Sequence, residues 1–225
     1  MRGGRFPGSA SGKALNMKEV FTPRCSPDLG ELAKEVVRTA LERAAATFSP
    51  YDILLAVDGT CGNGRDTLFL AQTLLRLRPE GKTLVLSFDV QADALATARK
   101  RLDSHCPTAD VRFTAAGHET LAVHLPSEAV FLAAMYNLGF LPGSDKRVVT
   151  LPETTLRALQ STLEHLRPGG VCAVHAYGGH AGGGEELRAV ENFFAELPFD
   201  AFSVARYSFC NKPRNPEVLF LAEKR

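Results

Sequence analysis

The stretch "ILLAVDGTCGNGRDT", residues 53–67, constrains this chain more than any other. An apolar run ends in an acid, passes Gly59, Gly62 and Gly64, and enters a helical pattern near Asp66. A short continuous apolar run suits a strand buried on both faces, as in a parallel sheet. Glycines between such a strand and a helix let the backbone turn tightly and let a ligand approach without a Cβ in the way.

The same alternation continues along the chain. From Asp28, placed as an N-cap, apolar residues recur at spacings of three and four until Ser49-Pro50 breaks the pattern. "TLVLSFD" (83–89), "VRFTAAG" (111–117), "AVFLAAMYN" (129–137) and "GVCAVHAY" (170–177) read as strands. Ala92 to Leu102, Leu151 to Leu166 and Glu185 to Leu197 read as helices. "AFSVARYSF" (201–209) and "EVLFLAEK" (217–224) close the chain with no helix between them. Strands alternating with helices and ending in a hairpin imply an α/β fold. Its sheet is mostly parallel, with one antiparallel strand at or near the edge. In such a sheet ligands bind beyond the carboxyl ends of the strands, where the strand order reverses. The chemistry therefore belongs to the loops after residues 58, 89, 117, 137 and 177.

Length and composition narrow the options. A chain of 225 residues suits one sizeable domain, and a hydrophobic content of 45% is ordinary for a soluble protein. Residues 1–16 are rich in Gly, Ser and Arg with no acid before Glu19, so they read as a disordered extension. Met17 is an alternative start, and 17–225 is expected to be a single domain. A net charge of +1 gives no global basic field, so any nucleic-acid site must be a local patch. The five Cys form no CxxC, which argues against a zinc site and fits reduced thiols in a cytoplasmic protein without metal. No apolar run reaches the ~18 residues that a membrane helix needs. Oligomeric state, a homodimer included, is left open.

In "VDGTCGNGRDT" a dinucleotide fingerprint would place its third glycine at 67, where Thr67 stands, and no G-K-[ST] follows. Asp58 beside the loop would repel a pyrophosphate but suits an ammonium. That combination points to S-adenosylmethionine, with Asp58, Thr60, Gly62, Asn63, Gly64, Asp66 and Thr67 around it. The structural alternative is a plain turn with Asp66 capping the helix. Asp89 at the end of the second strand suits the two ribose hydroxyls, with Gln91 adding an amide contact; the alternative is a cap on the next helix. In "GHETL" (117–121), either His118 or Glu119 stands where an adenine amine would be met.

The most unusual segment is "YNLGFLPGSDK" (136–146), an apolar strand end running into a turn. Asn137 ends the fourth strand, and its carbonyl can accept from an amine and orient the nitrogen lone pair without adding charge. Methylation of that amine would be an in-line displacement that needs chiefly alignment at near-attack distance. Phe140 offers a pocket wall, and Lys146 either binds a substrate group or lies in solvent. In "YGGHAGGGEE" (177–186), Tyr177 and His180 share the rim, and His180 can take up the released proton. Arg206, Lys212 and Arg214, with Tyr207 and Asn211 between them, suit phosphates and a stacked base, or are ordinary surface charge.

"VDGTCGNGRDTLFLA", "FDVQADAL", "GHETL" and especially "NLGFLPGSDK" resemble small bacterial class I methyltransferases long labelled rRNA methylases. The resemblance runs from about Asp28 to the C-terminus. It implies a Rossmann-like fold with a seven-stranded, mostly parallel sheet and helices on both faces. It also implies S-adenosylmethionine as donor and an exocyclic amine as acceptor. Some members act on tRNA, converting a 5-aminomethyl group of wobble 2-thiouridine to methylaminomethyl. The expectation is therefore a tRNA-modifying enzyme in which Asn137 and His180 are catalytic. Phe140, Lys146, Tyr177, Tyr207 and Asn211 would bind substrate. Its rivals are a same-fold enzyme acting on rRNA, protein or a small amine, and a non-catalytic nucleotide- or RNA-binding module. An NAD(P) oxidoreductase is opposed by Thr67 and by the lack of a Tyr-x-x-x-Lys pair.

Overall fold

The structure, a computed structural model, describes residues 28–139, 149–212, 214 and 216–225. Residues 1–27, Phe140 and Lys146 lie outside them, as do the expectations placed there.

Helix α1 (Leu29–Ala45) begins where Asp28 accepts the Glu31 N–H at 2.8 Å, the cap that its sequence predicts. Then follow β1 (Ile53–Asp58), α2 (Arg65–Leu77), β2 (Thr83–Phe88), α3 (Ala92–His105) and β3 (Val111–Thr114). A single 3-10 turn, His118–Thr120, leads into the short α4 (Leu121–His124). The second half holds β4 (Ala129–Leu138), α5 (Pro152–His165), β5 (Val171–Tyr177), α6 (Gly183–Ala195), β6 (Phe202–Ser208) and β7 (Glu217–Lys224).

The strands form one seven-stranded sheet in the order β3-β2-β1-β4-β5-β7-β6. All pairings are parallel except those of β7, which is antiparallel to both β5 and β6. The connection from β6 to β7 is too short for a crossover helix, so these two strands can pair only as a hairpin. The antiparallel strand therefore lies one position in from the edge, and the end of β6 returns to the same rim as the ends of β1, β2, β4 and β5.

Both faces of the sheet are covered over its central strands, which is why β1, β2, β4 and β5 are largely apolar along their length, whereas the edge strands β3 and β6 carry polar residues. On one face Leu54, Ala56, Leu132 and Ala173 pack with Val37, Leu41, Leu70 and Leu74 of α1 and α2. On the other, Leu55, Val57, Tyr136 and Val174 pack with Leu159, Leu163, Val190 and Phe194 of α5 and α6. Several boundaries differ from the sequence reading, α3 running on to His105 and α6 ending at Ala195 among them. β3 stops at Thr114 rather than 117, because its partner β2 ends at Phe88, the residue paired with Thr114. α6 starts two residues earlier, at Gly183, because Gly182 takes the left-handed conformation (φ 79°) just before it.

Candidate active site

The strand order reverses between β1 and β4, so their carboxyl ends open the crevice where a sheet of this kind binds ligands. The glycine loop lies in that crevice. Gly59 N donates to Met135 O at 2.9 Å, Cys61 N to Phe88 O at 2.8 Å and Gly62 N to the Asp89 carboxylate at 2.8 Å. The loop is thus tied to β4 on one side and to β2 on the other. Gly64 has φ 72° and forms the N-cap position of α2, with no side-chain cap. The helix-cap alternative for Asp66 is not what is found: its carboxylate sits in the first helical turn and accepts from Asn137 Nδ2 at 2.7 Å.

Asp58 and Thr67, expected beside the ligand, face inward and are fully buried. Thr67 Oγ1 donates to Asp58 Oδ2 at 2.5 Å and lies 2.8 Å from Ser87 Oγ, while Thr60 N donates to Asp58 Oδ1 at 3.1 Å. Neither side chain reaches the rim: Asp58, ending β1, alternates into the layer beneath the loop, and Thr67 lies on the buried face of α2. Burial, reinforced by the nearby Asp66 charge, pushes the Asp58 pKa up to about 7. A carboxyl whose folded pKa is raised favours folding below its unfolded pKa and loses that advantage as the pH climbs through the folded value. Asn fits the same place, accepting from Thr60 N and donating to Thr67 Oγ1, which can then donate to Ser87. Asp58→Asn should therefore gain stability over the parent by about 1 kcal/mol or more as the pH rises from about 5 to about 8. Thermal unfolding of the ligand-free proteins at the two pH values measures this difference.

The loops after β2 and β3 complete the cofactor side. Asp89 accepts from Gly62 N and from Gln91 N (2.9 Å), so it links the glycine loop to the start of α3. Each carboxylate oxygen retains lone pairs for a hydroxyl donor. Arg101 Nε donates to Asn63 O at 2.7 Å and holds that corner of the loop from α3. His118 is only 7% exposed, and its Nδ1 meets Gly59 O at 3.1 Å. Because a carbonyl only accepts, Nδ1 carries the proton, and burial lowers the pKa so that the ring stays neutral. Nε2 is then a buried acceptor with no hydrogen-bond partner among the described residues. Glu119 is partly exposed, with its carboxylate folded over Gly117.

On the acceptor side, Asn137 N donates to Thr60 Oγ1 at 2.7 Å, so Thr60 joins the glycine loop to the end of β4. Asn137 pairs in register with His175 of β5. Tyr177, 39% exposed, has its hydroxyl 3.0 Å from His175 Nδ1, and Glu217 lies 3.5 Å from His175 Nε2. Burial, with the charges of Glu217, Asp66 and Asp28, pushes the Tyr177 phenol up to about 12, so it is protonated at neutral pH. The His180 imidazole approaches Gly139 and Gly183, and its Nδ1 lies 2.9 Å from Ala181 O. Tyr207 and Asn211 are exposed at the β6–β7 end of the same rim. Lys212 is bound to Glu217 at 2.6 Å, and Arg206 to Glu191 at 2.9 Å, so both bases already face acids of this chain.

Sequence reasoning missed one buried support. Glu186 of α6 is 2% exposed and accepts from Thr150 Oγ1 (2.7 Å) and Thr155 Oγ1 (2.6 Å). Thr150 in turn accepts from Gly139 N at 2.8 Å and donates its own N–H to Gly139 O at 3.0 Å. The two flanks of residues 140–148 are thereby fastened together beside Asn137. The sequence offered little signal for this, because a Glu in the first turn of a helix reads as an ordinary exposed acid.

The sheet order and the glycine loop at the β1–β4 switch define a Rossmann-like class I methyltransferase fold. The chain belongs to the family described as "Putative rRNA methylase", whose sequence profile matches residues 85–223. A chloroplastic tRNA (mnm(5)s(2)U34)-methyltransferase of Arabidopsis thaliana is 32% identical over 171 residues, 75% of this chain and 62% of that protein. The chain thus spans less than two thirds of that relative's length. A putative rRNA-methylase from Clostridium thermocellum superposes with a TM-score of 0.76 at 29% identity, over 89% of this chain and 99% of that one. A putative methyltransferase from Streptococcus mutans, solved in complex with SAH, gives a TM-score of 0.73 at 31% identity, with the same coverage.

The residues present fit S-adenosylmethionine. The orphaned His118 Nε2 suits a donor such as the adenine amine, Asp89 suits a ribose diol, and the glycine loop leaves room for close backbone approach. Among the described residues no group of three or more His, Cys, Asp or Glu could hold a metal ion. No described helix is long and apolar enough to cross a membrane.

Proposed function

We propose that this chain, with residues 17–225 as one methyltransferase domain, is a cytoplasmic S-adenosylmethionine-dependent N-methyltransferase. Its acceptor is the 5-aminomethyl group of 2-thiouridine at the tRNA wobble position. The observation that carries the reading is Asn137, held at the carboxyl end of β4 beside the switch point by Thr60 and Asp66. The Arabidopsis relative, named for this modification, supports the choice of acceptor.

S-adenosylmethionine supplies a methyl group already activated by its sulfonium. The glycine loop and Gln91 border the donor, Asp89 takes the ribose, and His118 or Glu119 takes the adenine amine. Asn137 accepts an N–H of the acceptor amine and turns the nitrogen lone pair toward the donor, which is a positioning task. His180 takes up the proton that the amine loses. Tyr177 walls the acceptor pocket, and Tyr207 and Asn211 on the returning hairpin meet the RNA. Phe140 and Lys146 keep the substrate-binding roles expected of them.

Nucleoside mass spectrometry of tRNA from a strain lacking this chain tests the proposal. The expected result is loss of methylaminomethyl-2-thiouridine and build-up of its aminomethyl precursor. Unchanged wobble modification would sink the tRNA assignment, and a methyl mark lost from rRNA instead would move the reading to that acceptor.

A further inference from the structure

Asn137 can accept from an amine only if its amide oxygen, not its nitrogen, faces the acceptor. The two orientations of an amide are nearly equal in shape, so something nearby must choose between them. The Asp66 carboxylate lies 2.7 Å from the Asn137 amide, in the first turn of α2. An ionised carboxylate accepts and does not donate, so only Nδ2–H can occupy that bond. The oxygen is then the amide atom left to accept from another group.

Asp66 is itself held in place. Its side chain is 15% exposed, and Lys34 of α1 approaches Oδ1 at 3.9 Å. The Asn137 main chain is fixed independently by Thr60 Oγ1. Backbone position and amide orientation are thus set by two different residues, one in the glycine loop and one in the helix that follows it.

We propose that Asp66 is a positioning residue that fixes the Asn137 amide with its oxygen toward the acceptor. This selects nucleophiles that can donate an N–H and disfavours ring nitrogens that can only accept. The inference rests on the role given to Asn137 above. It also moves Asp66 from the cofactor side, where the sequence placed it, to the acceptor side.

The test combines two measurements on parent, Asp66→Ala, Asn137→Ala and the double variant. One is calorimetric binding of S-adenosylhomocysteine. The other is single-turnover methylation of an anticodon stem-loop RNA carrying 5-aminomethyl-2-thiouridine. Asp66→Ala is expected to slow methylation by about 30-fold or more, with affinity for S-adenosylhomocysteine within about 3-fold of the parent. The double variant should be no slower than Asn137→Ala, because Asp66 acts through that amide. Asp66→Asn, whose amide oxygen can still accept from Nδ2, should recover part of the rate and carries the same test if the alanine variant does not fold. Loss of affinity in step with rate would make Asp66 a cofactor contact and overturn the inference. Additive losses in the double variant would overturn it as well. Parent-like activity of Asp66→Ala beside a defective Asn137→Ala sinks the inference alone. Parent-like activity of Asn137→Ala sinks the reading of the site together with it.

Discussion

Methyl transfer by Asn137→Ala is expected to fall by about 100-fold or more, while S-adenosylhomocysteine should bind as tightly as to the parent. Alanine removes the Asn137 side-chain oxygen and leaves the strand intact, because the Asn137 main-chain N–H still donates to Thr60. The loss should appear in kcat more than in the KM for RNA. An RNA acceptor would be held over a surface much larger than one amide, whereas alignment of the nitrogen matters most in the transition state. Asp66 would lose its partner but stays beside Lys34 and close to solvent, so little stability should be lost. Single-turnover rates and calorimetry on the same preparations decide this. A variant that methylates at the parent rate would remove Asn137 from the chemistry.

Gly64→Val is expected to cost the most stability of any single change considered. Gly64 holds φ 72°, where a side chain costs about 1–2 kcal/mol, more for a β-branched one. A Cβ there would lie 2.6 Å from Ala98 Cβ and 2.8 Å from Ala98 Cα, on the buried face of α3. A helix backbone cannot swing aside as a flexible side chain can, so overpacking adds about 1–3 kcal/mol. The sum, about 2–5 kcal/mol, is a large part of the roughly 5–15 kcal/mol that holds a domain folded. The melting temperature should drop by about 10 °C. Affinity for S-adenosylhomocysteine should fall with it, since the same displacement pushes the glycine loop out of register with Asp89. Gly64→Ala should fall between parent and valine variant. A valine variant with an unchanged melting temperature would show that α3 yields at this point.

The sequence was informative where local chemistry and periodicity carry the answer. Asp28 announces its helix because a short carboxylate before a periodic apolar run has one obvious use, and the Glu31 N–H takes it. The central strands of the sheet are readable because burial on both faces leaves nearly unbroken apolar runs. The rim loops follow, since a parallel sheet sends every strand end to one edge. Asp58 and Thr67, expected beside the ligand, face inward for a different reason. A motif names a residue near a site, but whether its side chain turns outward depends on the strand's register with β2 and β4 for Asp58 and on which face of α2 it occupies for Thr67. For Lys212 and Arg206 the sequence left a phosphate surface and ordinary surface charge equally open, and in the structure each faces an acid distant in the chain or across a turn.

By itself, then, the sequence determined a doubly covered, mostly parallel sheet, a glycine turn made for close approach, and an Asn at the end of the fourth strand. These follow from forces acting over a few residues: burial of apolar side chains, the steric freedom of glycine and the needs of helix ends. Only the tertiary structure decided which atoms of those residues are available. Asp58 is sealed beneath the loop, His118 keeps one ring nitrogen unspent, and the Asn137 amide is turned by a carboxylate that is 71 residues away along the chain. Such hydrogen bonds join elements that meet only when the sheet assembles, and no local pattern records them.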